Sequence, residues 1–356
     1  MLEQFAAPSL QESYDNSGLI VGHPQQQVTG ILVALDAIES VVDEAVEKGC
    51  NLIIVHHPIV FGGLKKLNGK TYVERTVMAA IKQDVAIYAI HTNLDNVLGG
   101  VNTKIAEKLG LTRLRVLRPK TGVLRKLVTF CPAAYTESVR SAMFDAGAGA
   151  IGNYSSCSFT VAGSGTFLPM DGAQPVIGEV GTLHMEHEDR VEVLFESWKQ
   201  SKVLTALCKA HPYEKVAYDI YQLENEYDEV GSGIIGELTE PTTELEFLQK
   251  IKKTMMSGCV RHTKLLGTSV KTVAVCGGSG SFLLNDAKKA GADVFVTADF
   301  KYHEFFDAEG KVVVADIGHY ESEQFTIELI RDLILEKFPT FAVRLTGVNT
   351  NPVGYL

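Results

Sequence analysis

Leu52–Phe61 reads LIIVHHPIVF, a continuous apolar run that stops on two imidazoles and a proline. An unbroken β-branched run of this length reads as a strand buried on both faces, the texture of a parallel sheet. Neighbouring residues on a strand point to opposite faces. At the end of this strand, however, the chain turns, and Pro58 holds His57 out of helical conformation. Both rings then reach one site, or two neighbouring ions. A histidine doublet at an apolar strand's edge points to metal, weighed against two core histidines satisfied by hydrogen bonds.

Outward from this stretch, strands alternate with helices. TGILVALDA and VAIYAIHTNLD read as flanking strands, and AIESVVDEAVEKG, TYVERTVMAAIKQD and GGVNTKIAEKLG as helices. Near the other end VKTVAVCGG, ADVFVTADF and KVVVADIGH repeat the pattern, and YESEQFTIELIRDLILEKF reads as one long amphipathic helix. EKGCNLIIVHHPIVF parallels KKAGADVFVTADFKY, and AIYAIHTNLD parallels VVVADIGHYE. The expected fold is α/β, with two pseudo-repeated strand–helix lobes over residues 1–123 and 224–356 forming one metal-binding domain. Between them, residues 124–223 read as a compact α+β insertion, with strands RKLVTFCPAAY, SCSFTVAGSGTFLPM, GEVGTLHMEHEDRVEVLFE and KVAYDIYQL. Tyr154, Phe159 and Phe167 are expected in the core of that insertion.

The 356 residues carry a net charge of −10, with 46% hydrophobic and 21% charged residues. Such acidity argues against a broad nucleic-acid surface. No apolar run reaches the ~18 residues of a membrane span. Six cysteines without a C-x-x-C pair suit reduced thiols, so the expected compartment is the cytoplasm.

Open parallel sheets place ligands where strands run out, and the special polar residues fall there. Asp95 in HTNLD is the expected carboxylate bridge, with His91 beside it or behind it. In GHYESE, His319 and Glu323 are four apart on one helical face. His56, His57 and His319 with Asp95 and Glu323 make three histidines and two carboxylates, too many for one tetrahedral ion and suited to a pair of cations. Nitrogen and oxygen donors without thiolate admit zinc, manganese, iron, nickel or cobalt. Asp36, closing VALDA, is placed to orient a ligand histidine from behind, or to cap the next helix. The glycines of VCGGSG, with Gly277, Gly278, Ser279 and Gly280, offer backbone N–H groups to a phosphate, or a tight turn. Lys301 and His303 in ADFKYHEF are candidates for binding an anion and moving protons, or for plain surface.

These motifs together resemble the Nif-three-like dinuclear metal-centre family, also known as GTP cyclohydrolase 1 type 2-like. The resemblance rests on SYDNSGLIVG, IIVHHP, HTNLD, the GGSG loop, TADFKYHE and GHYESE, and covers nearly the whole chain. It implies a toroidal homohexamer in which His56, His57, Asp95, His319 and Glu323 hold two divalent ions per subunit, zinc the first candidate. GNYSSCSFTVAGSGTFLP and KAHPYEKVAYDI make the insertion similar to a PII/CutA-like domain. The implied activity is hydrolysis of a nucleotide-like or phosphorylated small molecule, with ring opening of GTP and formate release as one form. The alternative is a metal-loaded scaffold or metabolite sensor without catalysis.

Overall fold

Three short apolar segments build the first sheet. Ile31–Ala34, Leu52–Val55 and Ala86–Ala89 run parallel, with Ala34, Val55 and Ala89 in line. Their side chains are almost all buried, as strands covered on both faces must be. Gly18–Val21 closes one edge antiparallel to Ala86–Ala89, and Val343–Leu345 adds parallel to Ile31–Ala34 at the other. Helices Glu39–Glu47 and Tyr72–Lys82 place Val41, Val42, Ala45, Val77 and Ala80 in one core with Leu32, Ile53 and Ile87. Thr71 starts the second of these helices by accepting from the Glu74 amide at 3.2 Å. The computed structural model describes all residues, 1–356.

The second sheet has the order Arg261–His262, Val313–Asp316, Val294–Ala298, Ser269–Ser279, Tyr227–Thr243, Leu111–Lys120. Its three central strands are parallel, and Arg261–His262 is an antiparallel edge. Both sheets therefore follow three parallel strands with a short antiparallel edge strand beside the last. Sequence periodicity does not mark Tyr227–Thr243, because glycines interrupt its apolar pattern. Those glycines are steric: a Cβ on Gly231 would lie 2.1 Å from the Arg118 carbonyl oxygen, and one on Gly236 2.9 Å from that of Thr112.

Two compact units result, Met1–Pro119 with Asp228–Leu356, and Lys120–Tyr227. The second unit begins and ends a few residues outside the expected 124–223, where the strands on either side run out. It holds an antiparallel sheet ordered Ser158–Phe167, His184–Glu196, Leu124–Pro132, Tyr218–Gln222. Helices Thr136–Asp145 and Gln200–Ala210 bury Val139, Met143 and Leu207 against its central Leu127, Val191 and Phe195. Tyr154 and Phe159 are not part of that core: they are 75% and 65% exposed. Phe159 lies on the edge strand, whose side chains mostly face solvent, while the helices cover the central strands.

The final helix differs from expectation. It breaks into His319–Glu323 and Thr326–Lys337. At the break the Gln324 side-chain amide donates to the Met255 and Glu321 carbonyls. No helix is long and apolar enough to cross a membrane.

Candidate metal centre

The level ends of the parallel strands deliver the polar residues. Asp36 follows Ile31–Ala34, His56 and His57 follow Leu52–Val55, and His91 follows Ala86–Ala89 as the cap of the short helix Thr92–Asp95. From the second sheet come Asp299, just past Val294–Ala298, and His319 on the turn after Val313–Asp316. Gly318 enters that turn at φ +94°, a conformation that glycine adopts freely.

Each histidine is held by one ring nitrogen. His57 Nδ1 donates to Asp36 at 2.7 Å, His91 Nδ1 to Asp15 at 2.7 Å, and His319 Nδ1 to Asp299 at 2.7 Å. His56 Nδ1 donates to the Ile90 carbonyl at 2.9 Å. This is how ligand histidines are fixed in tautomer and direction, leaving Nε2 for the ion. Asp15 is itself locked, accepting from the Thr92 amide at 3.0 Å and the Ser17 hydroxyl at 3.1 Å. Asp299 sits at φ +58°, a strained setting for a residue with a Cβ.

The free ends converge. Nε2 of His57, Nε2 of His319 and Oε2 of Glu323 form a triangle with sides of 2.9, 3.2 and 3.3 Å. Nitrogen and oxygen ligands about 2.0–2.1 Å from a tetrahedral ion stand about 3.3 Å apart. The triangle thus has the dimensions of one ion's ligand set. A second group joins His56 Nε2 to Asp95 Oδ1 at 3.5 Å and to Glu323 Oε1 at 3.9 Å. His56, His57 and His91 also present ligand atoms within 4.8 Å of one another. Two atoms here, His56 Nε2 and Asp95 Oδ1, are buried with no hydrogen-bond partner. An orphaned lone pair facing an orphaned carboxylate oxygen is costly unless something positive sits between them. The donors therefore fit a divalent cation. Glu323 belongs to both groups, and Asp95, the expected bridge, to the second.

Charge tells the same story. Burial alone would lower the pKa of His57, yet Asp36 and Glu323 raise it to about 10. Burial is likewise overcome at His319, where Glu323 and Asp299 raise it to about 11. His56 is pushed down, first by burial. Burial and then the Glu323 charge drive the Asp95 carboxyl up, whereas the His319 and His57 rings hold Glu323 down against its own burial. Without a cation, protons on His57 and His319 neutralise the carboxylates.

The cluster opens into a cleft of about 1280 Å³. Tyr14, Phe61, Tyr72 and Phe282 put exposed rings on its walls, and Arg118 and Arg261 put cations there. Gly277, Gly278 and Ser279 line the cleft, but Gly280 does not. Two amides expected to be open to phosphate are already engaged: Gly277 N–H donates to Asn102 Oδ1 at 2.8 Å and Gly278 N–H to Ser322 Oγ at 2.9 Å. The glycines instead make room. A Cβ on Gly278 would lie 2.5 Å from Glu323 Oε1. Lys301 precedes and His303 lies on the exposed turn Tyr302–Ala308, and neither borders the cleft; His303 packs on Tyr302 and Phe306.

Asp15 and Asp299 are the partners that sequence reasoning did not single out. Asp299 directly follows the strand Val294–Ala298 and Asp36 comes just after Ile31–Ala34, so an Asp past a strand end, in TADF as in VALDA, was the available signal. Asp15 stands in SYDNSGLIVG, quoted above only for the resemblance, and its partner lies 76 residues away.

An α/β domain with histidines and carboxylates gathered at its strand ends defines a class, proteins with a candidate divalent-metal site. Within it, the chain belongs to the Duf34/NIF3 (NGG1p interacting factor 3) family, whose profile matches residues 1–352. It is 43% identical to a Bacillus subtilis protein named GTP cyclohydrolase 1 type 2 homolog, over 100% of this chain and 97% of that one. A Mycobacterium leprae protein of the same name is 36% identical over 99% and 93%. Among solved structures, a Bacillus cereus protein related to NIF3 superposes with a TM-score of 0.86 at 37% identity, covering 99% and 96%.

Proposed function

We propose that the chain is a divalent-metal-dependent hydrolase of nucleotide-like or phosphorylated small molecules. His57, His319 and Glu323 would hold one cation, and His56, Asp95, His91 and Glu323 a second. Zinc is the first candidate, and manganese, iron, nickel or cobalt fit the same donors. The observation that carries this reading is the sharing of Glu323 by two ligand groups that face a cleft of substrate size. Divalent ions at such a site supply Lewis acidity and water activation at neutral pH.

The chain's own groups do the rest. Asp36, Asp15 and Asp299 keep the Nδ1 protons of His57, His91 and His319, so each ring presents Nε2. Arg118 and Arg261 meet the anionic end of a substrate, and the rings of Tyr14, Phe61, Tyr72 and Phe282 take a planar base. The relatives' name suggests GTP as one substrate. Opening its imidazole ring would consume one water, and freeing formate a second.

The wider reading follows the family resemblance: two duplicated half-domains, a PII/CutA-like insertion, a toroidal homohexamer and a cytoplasmic setting. The test is incubation of purified protein, loaded with zinc or manganese, with a nucleotide panel read by mass spectrometry. A hydrolysed product lost on chelation supports the proposal. No turnover by protein with measured metal content overturns the enzymatic part and leaves the scaffold or sensor reading.

A further inference from the structure

The segment after the last strand does more than cover the domain. Val343–Leu345 pairs with Ile31–Ala34, and the Glu44 carboxylate then holds Thr346 and accepts from the Gly347 amide at 2.8 Å. From that anchor the chain runs to the metal cluster. Thr350, a buried residue, donates its hydroxyl to Asp36 Oδ2 at 2.6 Å. The other oxygen of Asp36 is the one that holds His57 Nδ1. One residue on, Asn351 Nδ2 donates to Glu321 Oε1 at 3.0 Å, and the Tyr355 hydroxyl reaches the same carboxylate. Glu321 is buried on the short helix between His319 and Glu323. Its carboxylate lies over Gly318, where a Cβ would come within 2.2 Å of Oε2. A single segment thus grips the residue behind His57 and the helix that carries His319 and Glu323.

We infer that Thr350 is a positioning residue for the metal pair, acting through Asp36 on His57, and that Thr346–Tyr355 is a clamp joining the two halves of the cluster. The inference rests on the metal-binding reading above. An alcohol on one oxygen of Asp36 restrains the rotation of its carboxylate, which keeps the other oxygen aimed at His57 Nδ1. Removing the hydroxyl frees Asp36 to rotate, and the Nε2 of His57 loses its aim. Support of this kind is worth about 10–100-fold in metal affinity when the residue touching the histidine is lost. Thr350 is one step further out, so the lower end of that range applies.

The test uses the full chain, stripped by a chelator and titrated with Co²⁺ alone. Visible absorption reports the ligand field and the affinity. Thr350→Val is expected to bind Co²⁺ about ten-fold more weakly, with a shifted spectrum, and Thr350→Ser is expected to restore both. A Val variant with wild-type spectrum and affinity, merely less heat-stable, overturns the positioning role. Should that variant fail to fold, hydrogen exchange on the wild type decides. Co²⁺ must slow exchange of amides in 346–355, and unchanged exchange there, with cobalt bound, overturns the clamp. If the wild type binds no Co²⁺ at all, the metal reading itself has failed.

Discussion

Oε2 of Glu323 lies 2.9 Å from Nε2 of His57, a residue 266 positions earlier in the chain. Nothing local brings them together. Leu52–Val55 aims one, the helix His319–Glu323 the other, and the two sheets must both be formed before the contact exists. Because the lone pairs of His57 Nε2 and Glu323 Oε2 face each other and need something positive between them, the contact ties folding to a proton in one state and to a cation in the other.

The pH dependence follows in sign. The folded-state pKa values of His57 and His319, about 10 and about 11, lie above the ordinary value near 6.5. Their contribution to the stability of cation-free protein is therefore complete below about 6.5 and lost as pH rises through 10 to 11. Chelator-treated protein is expected to melt at lower temperature at pH 11 than at pH 7. Cation binding must displace those protons, so it releases acid and strengthens as pH rises. Thermal scans and proton-release titration check both; binding that weakens with rising pH contradicts the assignment.

Asp299→Asn keeps the side-chain shape and tolerates the left-handed backbone at this position. It removes the carboxylate behind His319 and is expected to weaken metal binding about 10–100-fold with little change in melting temperature. Asp36→Asn and Asp15→Asn should act alike on His57 and His91. Competition with a chromogenic chelator measures each.

Gly278→Ala introduces a methyl group 2.5 Å from Glu323 Oε1 at a φ of +59°. The backbone strain alone costs about 1–3 kcal/mol, and the displaced carboxylate costs metal as well. Gly62→Ala, with open space around it and an ordinary φ, is the control and should be silent. Denaturant unfolding and metal content together separate strain from site damage.

Lys301→Ala and His303→Ala are expected to leave metal content and any turnover at wild-type levels, since both side chains are exposed and away from the cleft. Loss of activity in either, with metal retained, would return them to the site.

Much of this was readable in the residues. LIIVHHP announces a buried strand and two rings at its end because apolar continuity and a proline act locally. His319 and Glu323 were readable as a pair through helical spacing. The remainder needs three dimensions. Tyr227–Thr243 hides because glycines demanded by the neighbouring backbone erase its pattern. Glu323 reaches both ligand groups where Gly278 leaves room for its side chain. The GGSG run looked like a phosphate cradle, but Asn102 and Ser322, distant in sequence, take two of its amides.

The most direct test is elemental analysis of purified protein beside a His57→Ala variant. Wild-type protein is expected to hold close to two divalent ions per chain, and the variant to lose at least the one that His57 and His319 would share. Wild-type protein that stays metal-free after incubation with zinc, manganese and cobalt, or a variant that retains full stoichiometry, contradicts the metal-binding reading.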